Sequence, residues 1–377
     1  MKRRWYLGAV AAFVAFAGAG GAAAHVQAPA SHAKQTKIKV TLQSKWVVQA
    51  QFAGYYAAKA KGYYGQQGLD VNIKVGGPTI TPEQVVLGKQ ADFGIDWLPS
   101  LLSFRDTGKD IVNIAQVFAR SGMTELTWKD SGITTIGKMR GKKVGVWCCG
   151  NENELYAALV KNGINPKSKS DVTIVNQPFD MNLFLNHQVD AAAAMTYNEL
   201  AQVLEEKNPK TGKLYTLNDL NVIKMEDGAK GAGTSMLEDG VFVRGDWIKS
   251  KANQRIAKKF LIASFKGWIY CRDHWKSCVN IVLKNGPALP RGHQTWQMNE
   301  INALIWPNKL GIGVMDPKAF ARTARIAKQF DVIKKSPSHA YRTDVAKAAV
   351  AALKKQHVDV FGKGWKKAKV KITPGGK

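Results

Sequence analysis

The feature that most constrains this chain is a repeated exchange between two periodicities. From Ile38 onward, runs in which apolar residues recur every second position give way to runs with helical spacing, and glycine or proline separates them. Residues 38–42 and 71–75 read as strands, the second closed by Gly76-Gly77-Pro78, and residues 52–61 read as a helix stopped by Gly62. Thr81-Pro82-Glu83 opens another helix, with proline in its first turn. Residues 92–95 and 111–118 read as strands flanking a helix at 98–105. A second block has strands at 143–147, 172–175 and 191–195 and helices at 181–186 and 198–206. Its first helix, capped by Asn151, lays Leu155, Ala158 and Leu159 on one face and stops at Gly163. After a strand at 241–243 the pattern turns helical, over 253–273, 274–284, 294–305, 316–330 and 344–356. Such repetition predicts an α/β fold with mostly parallel sheets.

One internal echo supports two similar lobes. Gly88-Lys89-Gln90-Ala91-Asp92 and Asn186-His187-Gln188-Val189-Asp190 each drop from a short helix into a strand through a Gln-x-Asp pair. The alternation breaks at 129–132, and a glycine-rich return runs through 228–233. The expected layout is therefore a first lobe over 38–128 and 234–305, a second lobe over 129–233, and C-terminal helices with a basic tail over 306–377.

The N-terminus has its own logic. Lys2, Arg3 and Arg4 precede an apolar run from Leu7 to Ala19, and Ala22-Ala23-Ala24 offers a cleavage site. That order predicts a signal peptide over 1–24, followed by a leader linker over 25–37; the run is too short to span a bilayer. The protein is thus expected in the periplasm. A net charge of +27 reads either as attraction to anionic polymers or as a solvated basic face. The lysines are spread along the chain and carry no nucleic-acid motif, so the second reading is preferred and no nucleic-acid partner is expected. Of the four cysteines, Cys271 and Cys278 stand about 10 Å apart along a continuous helix, beyond disulfide reach unless the helix breaks between them. Cys148-Cys149 are adjacent in sequence, and all four read mostly as packed or free thiols.

In open parallel sheets, ligands sit beyond the carboxyl ends of the strands. Four strand-end loops here combine an aromatic with a polar side chain, and the candidates they supply are Trp46, Asp96, Trp97, Trp147, Asn151, Glu152, Tyr197 and Glu199. Aromatic faces stack on a flat heterocycle while carboxylates and amides hold its N–H groups. Plainer roles stay open: Asp96 and Asn151 as helix caps, Glu152 at a helix N-terminus, Trp46 and Trp147 as core. There is no G-x-S-x-G, H-E-x-x-H, P-loop or dinucleotide fingerprint, and the scattered histidines avoid these loops. No catalytic set, metal or cofactor is expected.

Lys45-Trp46, the run from Gln51-Phe52-Ala53-Gly54-Tyr55-Tyr56 to Gly62-Tyr63-Tyr64, and Gly68-Leu69-Asp70-Val71 resemble the opening of the NMT1/THI5-like family. The resemblance continues through residues 88–94, 139–146 and 195–199. It implies a type II periplasmic-binding-protein fold, two α/β lobes with a hinge and a helical C-terminal region. It further implies a substrate-binding protein of an ABC importer, with a small-molecule ligand and a permease in the inner membrane as partners. The implied ligand is a small N-heterocycle such as a thiamine pyrimidine precursor, stacked by Trp46 with Tyr55 or Tyr56 nearby and held by Glu199. The family also contains synthases that use pyridoxal phosphate, a histidine of their own chain and iron. Here Asp96 stands at the position of their lysine, Ser100 at that of their histidine, and Thr234-Ser235-Met236-Leu237 at that of their cysteine motif. Sulfonate- and nitrate-binding relatives form a third class.

Overall fold

The computed structural model describes residues 36–148, 150–227 and 231–377. The expected signal peptide and nearly all of the leader linker lie outside the described residues. Among the described residues ten strands form two five-stranded sheets. They are β1 (Ile38–Gln43), β2 (Leu69–Lys74), β3 (Phe93–Trp97), β4 (Ile111–Gln116), β5 (Met123–Trp128), β6 (Lys143–Val146), β7 (Thr173–Asn176), β8 (Ala191–Met195), β9 (Leu220–Lys224) and β10 (Asp239–Arg244). The first sheet has the order β2-β1-β3-β10-β4 and the second the order β7-β6-β8-β5-β9. β1 pairs in parallel with β2 and β3, and β6 with β7 and β8. β10 and β5 run antiparallel at the fourth position of their sheets. The two sheets are thus copies of one pattern, and the chain passes between them twice, after β4 and after β9.

The echo in the sequence is a structural repeat. Asp92 Oδ2 accepts the backbone N–H of Thr41 on β1 at 2.8 Å, and Asp190 Oδ2 accepts that of Lys143 on β6 at 2.8 Å. In both copies the third residue before the aspartate, Lys89 or His187, takes a left-handed conformation, at φ 60° and 54°. Each aspartate fastens the start of its strand, β3 or β8, to the parallel neighbour.

Two strands escape the alternation rule. β5, with the sequence Met-Thr-Glu-Leu-Thr-Trp, is buried along its whole length. Its polar residues turn inward: Thr124 Oγ1 donates to the carbonyl of Ala194 at 2.7 Å and Thr127 Oγ1 to that of Ile133 at 2.6 Å. Neither oxygen of the Glu125 carboxyl has a partner, and burial pushes its pKa well above the usual range. β9 is the edge strand beside β5. A lobe boundary at residue 129 therefore leaves β5 on the wrong side, because β5 pairs with β8 and β9 in the second sheet.

Helices cover the first sheet. The long helix Lys251–Asp273 packs on the helix Ala53–Ala60, with Trp268 fully buried. The indole of Trp268 occupies the place a side chain at Gly54 would need, so this approach requires glycine. The helix breaks at His274, and a separate helix begins at Trp275. That break brings Cys271 and Cys278 to a Cα–Cα distance of 5.2 Å, and they form a disulfide. Cys148 is disulfide-bonded as well. The expectation of packed or free thiols is thus corrected: the boundary read between residues 273 and 274 is the break that brings the two cysteines within reach.

Candidate functional site

Between the two lobes lies a cavity of about 30 Å³. Its walls come from the carboxyl ends of the parallel strands β1, β3, β6 and β8, as the strand-end rule requires. Of the residues singled out from sequence, Trp46, Trp97, Trp147, Asn151, Tyr197 and Glu199 line it. Tyr55, Tyr56, Asp96 and Glu152 do not. Tyr55 and Tyr56 are core residues, and the Tyr55 ring meets Trp268 edge-on at 5.6 Å. Asp96 lies behind the wall, where its Oδ1 accepts from the Trp97 N–H at 2.6 Å and pairs with Lys45. Glu152 is at the N-cap of the helix Asn153–Lys161, and its Oε2 accepts from the Gly150 N–H at 2.9 Å. The cap assigned to Asn151 therefore moves one residue on. Asn151 instead donates Nδ2 to the carbonyl of Cys148 at 2.7 Å.

The first lobe contributes charge held in balance. Burial pulls the Lys45 ammonium down, but Asp96, Glu83 and Asp239 together hold its pKa above the ordinary value. The ammonium also sits 5.0 Å from the centre of the Trp97 ring. Behind it, burial and the Asp96 charge push the Glu83 carboxyl well up. Gln49 Nε2 donates to Gln51 Oε1 at 2.6 Å, and Gln51 Nε2 to Asp239 Oδ2 at 2.9 Å. Burial raises Asp239 to about 7.

The second lobe contributes an oriented acceptor. Glu199 opens the helix Glu199–Leu204. Its Oε2 accepts from the Met195 N–H at 3.0 Å and its Oε1 from Asn198 Nδ2 at 2.7 Å. Burial raises its pKa to about 7. Asn198 is fixed in turn by His293, whose Nε2 lies 2.8 Å from Asn198 Oδ1 while Nδ1 lies 2.9 Å from Glu205 Oε2. Trp147 is steadied by its Nε1–H, which donates to the carbonyl of Pro178 at 3.2 Å.

The two lobes also touch beside the cavity. Gly150, at φ 99°, abuts Ser100 so closely that a side chain at 150 would collide with the hydroxyl. At the crossings, the single hydroxyl proton of Ser121 faces Glu154 Oε2 and Glu238 Oε1, both at 2.9 Å. One proton cannot serve two carboxylates, so the pair requires a protonated member. Burial accordingly raises Glu154 to about 8 and pushes Glu238 well up.

Lys45, Gln49, Gln51, Met195 and Asn198 also line the cavity. Most of them lie in the loops the sequence picked out. The missing signal was tertiary: which member of each loop turns inward. Among the described residues no group of three or more His, Cys, Asp or Glu is placed to hold a metal ion, and no helix is long and apolar enough to cross a membrane.

Two lobes of this repeated topology, with a cavity between facing strand ends, make the type II periplasmic-binding-protein fold. The periplasmic aliphatic sulphonate binding protein SsuA of Escherichia coli has this architecture. It superposes with a TM-score of 0.57 at 15% identity, covering 82% of this chain and 91% of that one. The family follows from the sequence: the NMT1/THI5-like model matches residues 49–276, and the chain belongs to that family. Among its relatives, the riboflavin-binding protein RibY of Chloroflexus aurantiacus is 24% identical over 318 residues, 80% of this chain and 84% of that protein. A putative thiamine biosynthesis protein of Haemophilus influenzae is 25% identical over 174 residues, 45% of this chain and 54% of that protein.

Proposed function

We propose that this protein is an extracytoplasmic solute-binding protein that delivers a flat nitrogen heterocycle, of the thiamine-pyrimidine or flavin class, to an ABC permease in the inner membrane. The observation that carries this reading is the composition of the cavity wall. Trp46 and Trp97 from one lobe face Trp147 and Tyr197 from the other, with the Glu199 carboxylate among them. Indoles on both sides suit a planar ring, and a carboxylate suits ring N–H or amine donors. The names of the flavin- and thiamine-linked relatives agree with that chemistry. A sulfonate or nitrate wants unpaired donors, whereas Lys45, the one lysine on this wall among the described residues, is already paired with Asp96. Binding without turnover is favoured for a related reason. An imine to a carbonyl cofactor needs a neutral amine, and the acids around Lys45 keep it protonated.

The test is mass spectrometry of the small molecule released when protein purified under native conditions is denatured. The expected result is a nitrogen heterocycle at near one equivalent. An alkanesulfonate or nitrate in its place would overturn the reading.

A further inference from the structure

One helix, Arg291–Ile305, is fastened to both lobes and to the link between them. On the first lobe, Oε1 of Gln294 and Oε1 of Gln297 both accept from the Ala50 N–H at 2.7 Å, and the helix packs on the helix Trp275–Asn285. On the second lobe, Trp296 Nε1 donates to the carbonyl of Thr196 at 2.9 Å, and His293 sits between Asn198 and Glu205. At the C-terminal end the first crossing between the lobes clasps the helix. The Ala119 N–H donates to the Leu304 carbonyl at 3.0 Å, and the Arg120 guanidinium to the carbonyls of Ala303 at 3.2 Å and Pro307 at 2.8 Å. Eleven residues separate His293 from Leu304, about 16 Å of helix axis. One end of the helix is thus held at the pivot, and the other grips the second lobe where rotation about that pivot moves atoms farthest.

The segment 367–377 reinforces that grip. The Asn299 amide meets the Ala368 backbone twice, accepting from its N–H and donating to its carbonyl, each at 2.9 Å. Lys367 Nζ donates to Glu300 Oε2 at 2.6 Å. Farther along, Ile372 and Trp296 pack against the apolar cluster of the second lobe, and the Gly375 N–H donates to the Glu205 carbonyl at 2.9 Å. The segment lies so close on Gly292 that a side chain there would collide with the Thr373 hydroxyl and the Gly376 carbonyl. Each of these hydrogen bonds to the second lobe ends within residues 196–205, the stretch that carries Asn198 and Glu199.

We infer that the helix Arg291–Ile305 and the segment 367–377 form a latch, shut on the second lobe in the closed cleft, which must part from residues 196–205 for the cleft to open. The first-lobe side is the fixed one, because the helix beneath it, Trp275–Asn285, is tied by the Cys271–Cys278 disulfide to the long helix Lys251–Asp273. The second-lobe side consists of a few directed bonds and one apolar contact, which can part together. His293 also orients Asn198, and through it Glu199, so shutting the latch and setting the acceptor are one event. Whatever binds the closed cleft preferentially therefore tightens the latch, and loosening the latch weakens binding by the same free energy. The latch is independent of which compound the cleft carries.

Two substitutions outside the aromatic cavity test this in the full chain, stripped of small molecules. Trp296→Phe keeps an aromatic ring in the contact and removes the donor to Thr196. Gly292→Ala favours the helix by propensity but pushes the segment 367–377 off it. Hydrogen exchange read by mass spectrometry and small-angle X-ray scattering follow the two variants beside the wild type. Each variant is expected to speed exchange about 5-fold in residues 195–205 and 368–377, to leave β1–β3 unchanged, and to raise the radius of gyration as the cleft opens. Wild-type exchange at 195–205 in both variants would overturn the latch. Acceleration confined to 368–377 would overturn it too, since the segment would then only cover the helix. Equal acceleration in both lobes would replace it with a general loss of stability. A Gly292→Ala protein that unfolds at a higher temperature and keeps wild-type exchange at 195–205 is the outcome a merely structural helix predicts, and it would also sink the inference.

Discussion

In the first lobe β10 sits antiparallel between β3 and β4; in the second, β5 sits antiparallel between β8 and β9. Asp92 and Asp190 fasten equivalent strands in the two sheets. The skeletons match, yet the chemistry each lobe brings to the cleft does not. The first lobe offers an ion pair, Lys45 with Asp96, and an amide relay from Gln49 to Asp239. The second offers Glu199, oriented by Asn198 and through it by His293. The lesson is that topology fixes where side chains converge, while loop sequence decides what converges there. A strand that crosses between lobes arrives from the cleft side, at the carboxyl ends of the parallel strands, and so must run antiparallel to them. That single geometric fact explains why both copies carry their reversed strand in the same place.

The largest effect expected from this comparison lies at the crossings, where the lobes share the Glu154–Ser121–Glu238 cluster. A carboxyl whose folded pKa exceeds its unfolded one stabilises the fold fully only below the unfolded value. With Glu154 raised from 4.5 to about 8 by burial, stability is complete below about 4.5 and is lost as pH climbs toward about 8. Thermal unfolding should show the midpoint falling by several degrees across that window, and Glu154→Gln should flatten the slope. A midpoint that rises with pH in this window would refute the assignment.

Next in size is the helical layer that buttresses the first lobe. Replacing Cys271 and Cys278 with serine opens a short covalent loop and should cost roughly 2–3 kcal/mol in urea unfolding. Hydrogen exchange should then quicken in the helices Lys251–Asp273 and Trp275–Asn285 before it does in β6–β8. Equal acceleration in both lobes would show that the link does not act locally.

The smallest effect compares the twin aspartates. Asp92→Ala should cost about 2 kcal/mol and Asp190→Ala about 1 kcal/mol, because each loses a charge-assisted hydrogen bond and that of Asp190 is the more exposed. A reversed order would mean that the repeat is geometric and energetically unrelated to these bonds.

Much of this was legible in the sequence where periodicity carries the signal. The strands β1, β2, β3, β6 and β8 were legible because each alternates or is short and apolar. The Gln-x-Asp echo was legible because its aspartates do the same work twice. β5 was hidden because Thr124, Glu125 and Thr127 are polar residues in buried positions, and no local rule tells a buried threonine from an exposed one. The Cys271–Cys278 link was hidden although the two helices were read as separate at 273 and 274, because spacing along the sequence does not give the angle between two helices. At the site, Trp46, Trp97, Trp147 and Tyr197 could be named from their place after strands. Lys45 was passed over although it precedes Trp46, since its partner Asp96 lies 51 residues away and only the fold brings the two together. Tyr55 and Tyr56 were drawn in by nearness in sequence, and a helix turned them into the core.

The central claim is that both lobes grip one planar ligand, Trp46 from one side and Glu199 from the other. It is tested most directly by a double-mutant cycle of Trp46→Ala and Glu199→Gln, with affinities for the co-purifying compound measured by calorimetric titration. Each single change should cost about 2 kcal/mol, roughly 30-fold in affinity. Because Glu199 titrates at about 7 and acts as an acceptor when ionised, wild-type affinity should weaken as pH falls below that value, and Glu199→Gln should lose that dependence. Wild-type affinity in both single variants, with unfolding midpoints lowered instead, would contradict the claim and reduce both residues to structural parts of their lobes.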